Sequence, residues 1–255
     1  SNVDNSKDRR EHQDFPIQLE HQDLYKEPDA LKKGRRNPKV YDEAKGRNKF
    51  EFAKQKVLQL KQLSDIYKKK KTQFGDNFDP KLIFKIETEK SNRAGEAKFT
   101  EDLKEVDVEI VSSAASKNGV WVSYSRDTEF EKFRKVVHEY DKQPHPTFLD
   151  FIKEIKPIYE QEKELPNLKN NRLKEGEIAT LDVELEIIES EKNQIQDSID
   201  RFKEFAEHEG AKVTDQFFSD NLCLVRVKAD QKVLEKILQR DQVKSVGRSP
   251  KPNIR

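Results

Sequence analysis

One order of apolar patterns occurs twice in the chain, and it constrains the fold more than any other feature. Residues 179–247 read as strand, helix, strand, strand, helix, strand, and residues 81–142 follow the same order more faintly. Alternating apolar residues predict half-buried strands, whereas apolar residues three or four apart predict amphipathic helices. Six elements in this order predict an antiparallel sheet with its helices on one face. The sequence therefore predicts an α+β chain with two tandem ferredoxin-like units.

The two copies can be aligned position by position. Asn118 in the first predicted hairpin corresponds to Asn221 in the second, and the predicted helix cap Asp127 corresponds to Asp230. Both pairs have the same offset of 103 residues (221 − 118 and 230 − 127). Because the matches fall inside matching strand, turn and helix patterns, they indicate a duplicated domain. Two copies are too few for a solenoid.

The second unit has the clearer pattern. Along its first strand, apolar residues alternate with acidic ones. Because successive side chains of a strand point to opposite faces, the apolar set is predicted to pack on the helices. The other face is then predicted to carry an acidic row, formed by Asp182, Glu184 and Glu186.

The segments around the two units differ in pattern. The first residues show no sustained period, and a helical period then appears in a lysine-rich stretch that ends on Lys68, Lys69, Lys70 and Lys71. The predicted organisation is an extended arm at 1–47, a basic amphipathic helix at 48–74, the first unit at 75–143, a proline-containing connector at 144–178, the second unit at 179–247 and an extended tail at 248–255.

Charge and cysteine content indicate the cellular compartment in which the protein works. The formal net charge is +1, but residues 31–74 carry fifteen Lys and Arg against four Asp and Glu, so the remainder sums to −10. The single cysteine, Cys223, excludes an intramolecular disulfide and favours a reducing compartment. No apolar run approaches the roughly 18 residues of a membrane helix. The sequence therefore predicts a cytoplasmic protein without a membrane segment.

The C-terminal half resembles the propeptide of subtilisin-like serine proteases. The resemblance is carried by the apolar strand Leu222–Ala229, the helix that follows Asp230, and the segment Asp241–Val246 with its two valines. Over residues 50–250 the chain is similar to the long N-terminal region of a bacterial group of these proteases that are often encoded beside an AAA ATPase.

The resemblance implies a role rather than a reaction. Such propeptides help the protease domain to fold and then inhibit it, with the open sheet face on the protease surface and the tail in the active-site cleft. Here the docking face would be Asp182, Glu184 and Glu186, and the cleft-binding tail would be Ser249, Pro250, Lys251, Pro252, Asn253, Ile254 and Arg255. The parent precursor would be a serine endopeptidase, whereas this chain, which shows no catalytic-triad pattern, is predicted to have no activity.

Other interpretations remain open. The acidic row could be a solvated strand face, and the tail could be an unstructured end. The basic segment 31–74 could dock on an acidic partner such as an AAA ATPase, or bind nucleic acid nonspecifically. Few aromatic residues interleave with its lysines, which disfavours nucleic acid. The five histidines show no metal-ligand spacing and no glycine-rich phosphate loop occurs, so neither a metal nor a cofactor is predicted.

Overall fold

The computed structural model describes residues 46–75, 80–89, 93–112, 119–142 and 146–250. These residues belong to one compact body, Lys39–Arg255. Its helices and strands are, in chain order, α1 (Lys49–Phe74), β1 (Leu82–Thr88), α2 (Arg93–Glu105), β2 (Val108–Ser112), β3 (Val120–Ser125), α3 (Glu131–His138), α4 (Phe148–Phe151), β4 (Ile152–Pro157), α5 (Glu160–Lys163), α6 (Pro166–Lys169), β5 (Ala179–Leu185), a 3-10 helix (Glu189–Gln194), α7 (Ile195–His208), β6 (Lys212–Ser219), β7 (Leu222–Ala229), α8 (Gln231–Gln239) and β8 (Val243–Arg248).

The strands form two four-stranded antiparallel sheets with the same topology. The first sheet has the order β2-β3-β1-β4 and the second has the order β6-β7-β5-β8. In both, the first strand of the unit lies between the third and the fourth. The predicted α+β fold with two tandem ferredoxin-like units is therefore confirmed. The predicted turn at Asn118 and most of the predicted arm lie outside the described residues.

The first unit is larger than predicted at both of its ends. Its fourth strand, β4, pairs with β1 through Ile155 opposite Ile86, so the predicted end at residue 143 is too early. Helix α1 places Phe52, Leu60 and Leu63 in the same buried cluster as this sheet, so it belongs to the unit. The sequence analysis did not predict β4. Buried and exposed residues do not alternate regularly along this strand, because its pairing with β1 shifts register beside Thr88.

Both units place their helices on one face of the sheet, as the stripes predicted. The α3 stripe is fully buried in the first core: Phe130, Phe133, Val137 and Tyr140. The α8 stripe is buried in the second: Val233, Leu234, Ile237 and Leu238. The Asp230 side chain accepts a hydrogen bond of 2.9 Å from the Val233 N–H and so caps α8. Gly210 follows α7 with φ of +100°, the left-handed conformation that commonly ends a helix.

Candidate docking surfaces

The second sheet exposes the face opposite its helices, and Asp182 lies there in an ion pair. Arg226 of β7 lies opposite Asp182 of β5 and donates to it from Nε at 2.7 Å and from a terminal nitrogen at 3.3 Å. Ser249 Oγ donates to the same carboxylate at 2.5 Å. Partial burial alone would raise the pKa of Asp182, but these hydrogen bonds hold it below its ordinary value.

Glu184 is paired in the same way. It accepts hydrogen bonds from Lys244 Nζ at 2.7 Å and from Ser245 Oγ at 2.9 Å, both on β8. Two members of the predicted acidic row are therefore already bonded to cations of their own sheet. The face carries a row of neutralised charge pairs, rather than free carboxylates that wait for a partner.

Glu186 lies beyond the end of β5, in a different environment. It lines a small cavity of about 20 Å³ together with Leu185, Ile187 and Gln242. Burial raises the pKa of Glu186 to about 7, and the nearby Glu184 carboxylate adds to the rise against the opposing effect of Lys244. Glu186 thus differs from Asp182 and Glu184 in lying beyond the last residue of β5, Leu185, and its place in the predicted docking face stays a prediction.

An apolar patch, which the sequence analysis missed, occupies the rest of this face. Phe217 of β6 lies opposite Leu224 of β7, and its side chain is 57% exposed. Leu224 is half-buried and sits beside Glu184 on β5. The sequence did contain a signal for the patch: Phe217 and Phe218 are adjacent in one strand, so only one of them can point toward the helices.

Part of the corresponding face of the first sheet is covered by the second unit. Ile188, which follows β5, is buried against Ile83 and Tyr124, with Val111 and Val122 packed around them. The contact is apolar at its centre and buries Ile83 and Tyr124, while Lys85 and Val122 of the same face stay half-buried.

Hydrogen bonds surround this apolar contact. Glu191 of the 3-10 helix accepts from the Tyr124 hydroxyl at 3.1 Å and from Lys81 Nζ at 3.1 Å. Ser190 Oγ donates to Glu109 at 2.7 Å. Burial first, and the Glu191 carboxylate second, raise the pKa of Tyr124 above its ordinary value. The loop after β5 therefore joins the two units.

The predicted basic patch at the end of α1 is largely used inside the molecule. Lys70 donates to the Gln239 carbonyl at 3.2 Å and forms an ion pair with Asp241. Lys68 forms an ion pair of 2.6 Å with Glu129. Lys69 and Lys71 are exposed. The four lysines thus do not form a single free patch, and the adaptor and nucleic-acid interpretations stay predictions.

A second joint lies beside Asp241. Lys163 of α5 is buried and donates to the carbonyls of Leu238 at 2.9 Å and Arg240 at 2.6 Å, which end α8. Burial lowers the pKa of Lys163 to about 8, although Asp241 opposes the shift. A lysine that bonds the last carbonyls of a helix is stabilised there by the helix dipole. The sequence analysis placed Lys163 in the proline-containing connector and assigned it no role.

The tail begins two residues later than predicted. Arg248 is the last residue of β8 and donates to the Asn171 carbonyl and to Glu177, both at 2.7 Å. The Ser249 N–H donates to the Thr180 carbonyl at 3.0 Å, so pairing with β5 continues through this residue. Of the predicted cleft-binding residues the structure describes only Ser249 and Pro250; the remaining five lie outside it.

The described helices include none that is long and apolar enough to cross a membrane. Among the described side chains, no group of three or more His, Cys, Asp or Glu is placed to hold a metal ion. Cys223 is buried, and burial raises its pKa to about 11, so the thiol is held in its neutral form.

Comparison with known proteins divides the chain where the structure does. Residues 51–160 match the family model of the Y4kK N-terminal domain, and residues 162–248 match that of the Y4kK central domain. The division falls between β4 and the second sheet, beside α5. The chain is thus similar to two successive domains of Y4kK proteins, whose function is unknown. No curated protein and no solved structure matches it.

Proposed function

We propose that this chain is the non-catalytic N-terminal region of a subtilisin-like serine endopeptidase, which assists the folding of the protease domain and then inhibits it in the cytoplasm. The single observation that carries the proposal is the contrast between the two sheets. Ile83 and Tyr124 in the first sheet's open face are buried by Ile188 of the second unit, whereas Asp182, Leu224 and Arg226 in the second sheet's open face stay half-exposed.

The composition of the second face supports docking on a protein surface. Its centre combines the apolar patch of Phe217 and Leu224 with the Asp182–Arg226 pair. Protein interfaces draw most of their affinity from a few apolar or aromatic anchors, while surrounding polar groups fix the orientation. The anchor is therefore the apolar patch, and the paired carboxylates orient the partner.

The course of the chain supports a role for the tail. Arg248 pairs with Leu181 of β5 and the Ser249 N–H donates to the Thr180 carbonyl, so the chain stays paired along β5 through Ser249. A segment that leaves a sheet in an extended form can pair with the edge strands of a partner. The family matched by residues 162–248 is described as a central domain, and we assign the protease domain to the place that follows it.

The test is a titration of the chain against the subtilisin-like domain encoded in the same reading frame or beside it, following hydrolysis of a fluorogenic peptide. We expect tight inhibition by the full chain, and at least about a tenfold loss for a chain that ends at Pro250, since each 1.4 kcal/mol of lost binding is tenfold in affinity. Ending at Pro250 keeps the contacts of Arg248 and Ser249 intact.

A matched pair of variants locates the docking face. Leu224→Asp should weaken inhibition, because it puts a charge into the apolar patch. Leu58→Asp, on an exposed position of α1, should not. If no subtilisin-like domain is encoded there and the chain does not inhibit subtilisin itself, the proposal is overturned.

A further inference from the structure

Three of the four sheet edges in the described structure are protected. At the outer edge of β8, the Leu165 N–H donates to the Val246 carbonyl at 2.8 Å, and Glu164 forms a parallel bridge to the same residue. At the outer edge of β4, the Ile155 N–H donates to the Gln59 side chain of α1 at 3.1 Å. Strand β2 has only five residues and a register shift after Ile110. Such devices keep an edge from pairing with another chain.

The fourth edge, β6, has eight residues, and because its register shift lies between Val213 and Asp215, residues 215–219 form a regular exposed edge. All of its eight residues are exposed except Val213, which is half-buried. Phe217 and Phe218 are 57% and 48% exposed, and they point to opposite faces of the sheet. A long edge strand that exposes large apolar side chains on both faces is a template for pairing with a further strand. This edge therefore differs from the other three in length, exposure and composition.

The hydrogen-bonding directions of β6 follow from its hairpin. Ser219 and Leu222 flank a two-residue turn, and the pair that closes such a hairpin exchanges both of its N–H···O bonds. Because bonded and non-bonded pairs alternate, Phe217 bonds to β7, whereas Gln216 and Phe218 direct their N–H and C=O groups outward. Consistent with this direction, the Gln216 N–H donates to the Asp215 side chain at 2.9 Å.

We propose that β6 pairs antiparallel with β6 of a second copy of this chain, about a two-fold axis at Phe217. This register sets Gln216 opposite Phe218 of the second copy, so the outward groups of both residues are paired on each side of the axis. It also sets Phe217 opposite Phe217 on the open face and Asp215 opposite Ser219. Every pair then has both side chains on the same face of the sheet, as an antiparallel ladder requires.

The side chains of this register are compatible with one another. The only charged residue in the three pairs is Asp215, which faces a serine, so no like charges meet across the interface. The pair at the axis joins two aromatic rings, and aromatic cross-strand pairs stabilise a sheet. The dimer joins the two second sheets into one of eight strands and leaves its open face accessible. It therefore does not depend on the proposed protease partner.

Sedimentation or light scattering of the full chain at about 1–100 µM tests the pairing, in the range where micromolar association is measurable. We expect a concentration-dependent dimer in the unchanged chain. Phe217→Glu should weaken association by at least about 100-fold, since it places two carboxylates against each other at the axis and removes the aromatic pair. The control is Phe50→Glu, at an α1 position that is 63% exposed. Circular dichroism confirms that both variants are folded.

Disulfide trapping tests the register. In a Cys223→Ser background, Phe217→Cys should cross-link on mild oxidation, because Cα atoms of a non-bonded antiparallel pair lie about 4.5 Å apart, within disulfide reach. Ser219→Cys should not cross-link to itself, because it faces Asp215. A chain that stays monomeric, a dimer that survives Phe217→Glu, a dimer lost in Phe50→Glu alone, or cross-linking through Ser219→Cys instead of Phe217→Cys would overturn the proposal.

Discussion

The open faces of the two sheets make the most informative comparison in this molecule. Both sheets have the same strand order, and each buries its helices against one of its faces. In the first face Ile83 and Tyr124 are buried against Ile188, whereas Asp182, Arg226 and Leu224 of the second face stay half-exposed. The duplicated fold has therefore diverged at this surface. One copy holds the two units together, and the other copy has a surface available for a partner.

The occupied face also explains how a chain with 39% charged residues keeps its two units joined. The loop after β5 supplies the apolar side chain of Ile188 and the carboxylate of Glu191. The carbonyls at the end of α8 make a second contact, with Lys70 and Lys163. Two joints at separate places restrict relative rotation of the units.

The largest effect should come from placing a charge at the occupied face. Ile188 is 6% exposed, so Ile188→Asp loses its apolar contact and buries a carboxylate, at a cost of about 3–5 kcal/mol. Urea unfolding should then show a lower midpoint and two separate transitions, one for each unit. The matched variant Leu224→Asp, on the free face, should cost within about 1 kcal/mol. Equal losses in the two variants would show that the faces do not differ in the way described.

Glu186 should make the stability of the folded chain depend on pH. Its pKa is about 7 in the folded state against an ordinary value of 4.5, so the folded protein binds this proton more tightly. The stability contributed by the proton is therefore lost as pH rises from about 4.5 to 7. Glu186→Gln imitates the protonated form and should add about 3 kcal/mol at pH 8 and nothing below pH 4.

Urea titrations of both forms at several pH values measure this effect. Asp182→Asn is the control on the free face, and it should not gain stability at high pH because its own pKa is lowered. A Glu186→Gln gain that is the same at pH 4 and pH 8 would contradict the assignment.

The comparison between faces also shows what the sequence could predict. Alternation identified β5, and helical stripes with the Asp230 cap identified α8, because those patterns depend only on which side of an element is buried. Which face is covered by another unit depends on contacts such as that between Ile188 and Tyr124, which are 64 positions apart (188 − 124). No local pattern encodes such a contact.

The candidate site was harder to predict for the same reason. The charges of Asp182 and Glu184 were found, but their neutralisation by Arg226 and Lys244 depends on strand register. Reading acidic residues along a single strand gave a row of free carboxylates. Pairing the strands turns that row into ion pairs and leaves Phe217 as the prominent exposed group.

Removing the hydroxyl of Tyr124 should change the stability less than Ile188→Asp or Glu186→Gln does. Tyr124→Phe keeps the ring against Ile188 and loses the hydroxyl's bonds, chief among them the 3.1 Å hydrogen bond to Glu191, so we expect a loss of about 1 kcal/mol. Glu191 keeps its bond to Lys81 and is not left unpaired. Chemical denaturation at neutral pH measures the change. A loss as large as that of Ile188→Asp would mean that the hydrogen bond, rather than the apolar contact, holds the units together.

The smallest effect should be found at the ion pair of the free face. Arg226 and Asp182 are 43% and 26% exposed, and pairs so accessible to water couple by about 0.5 kcal/mol. A double-mutant cycle with Arg226→Ala and Asp182→Asn should give this value at low salt. It should fall with added salt, and as pH drops through the lowered pKa of Asp182, because protonation removes the anion. A coupling of several kcal/mol would mean that the charged groups of this face hold one another firmly and are costly to desolvate. A partner would then not be expected to dock on this face. A surface that gives up its water to bind a partner should instead show weak coupling between its charges.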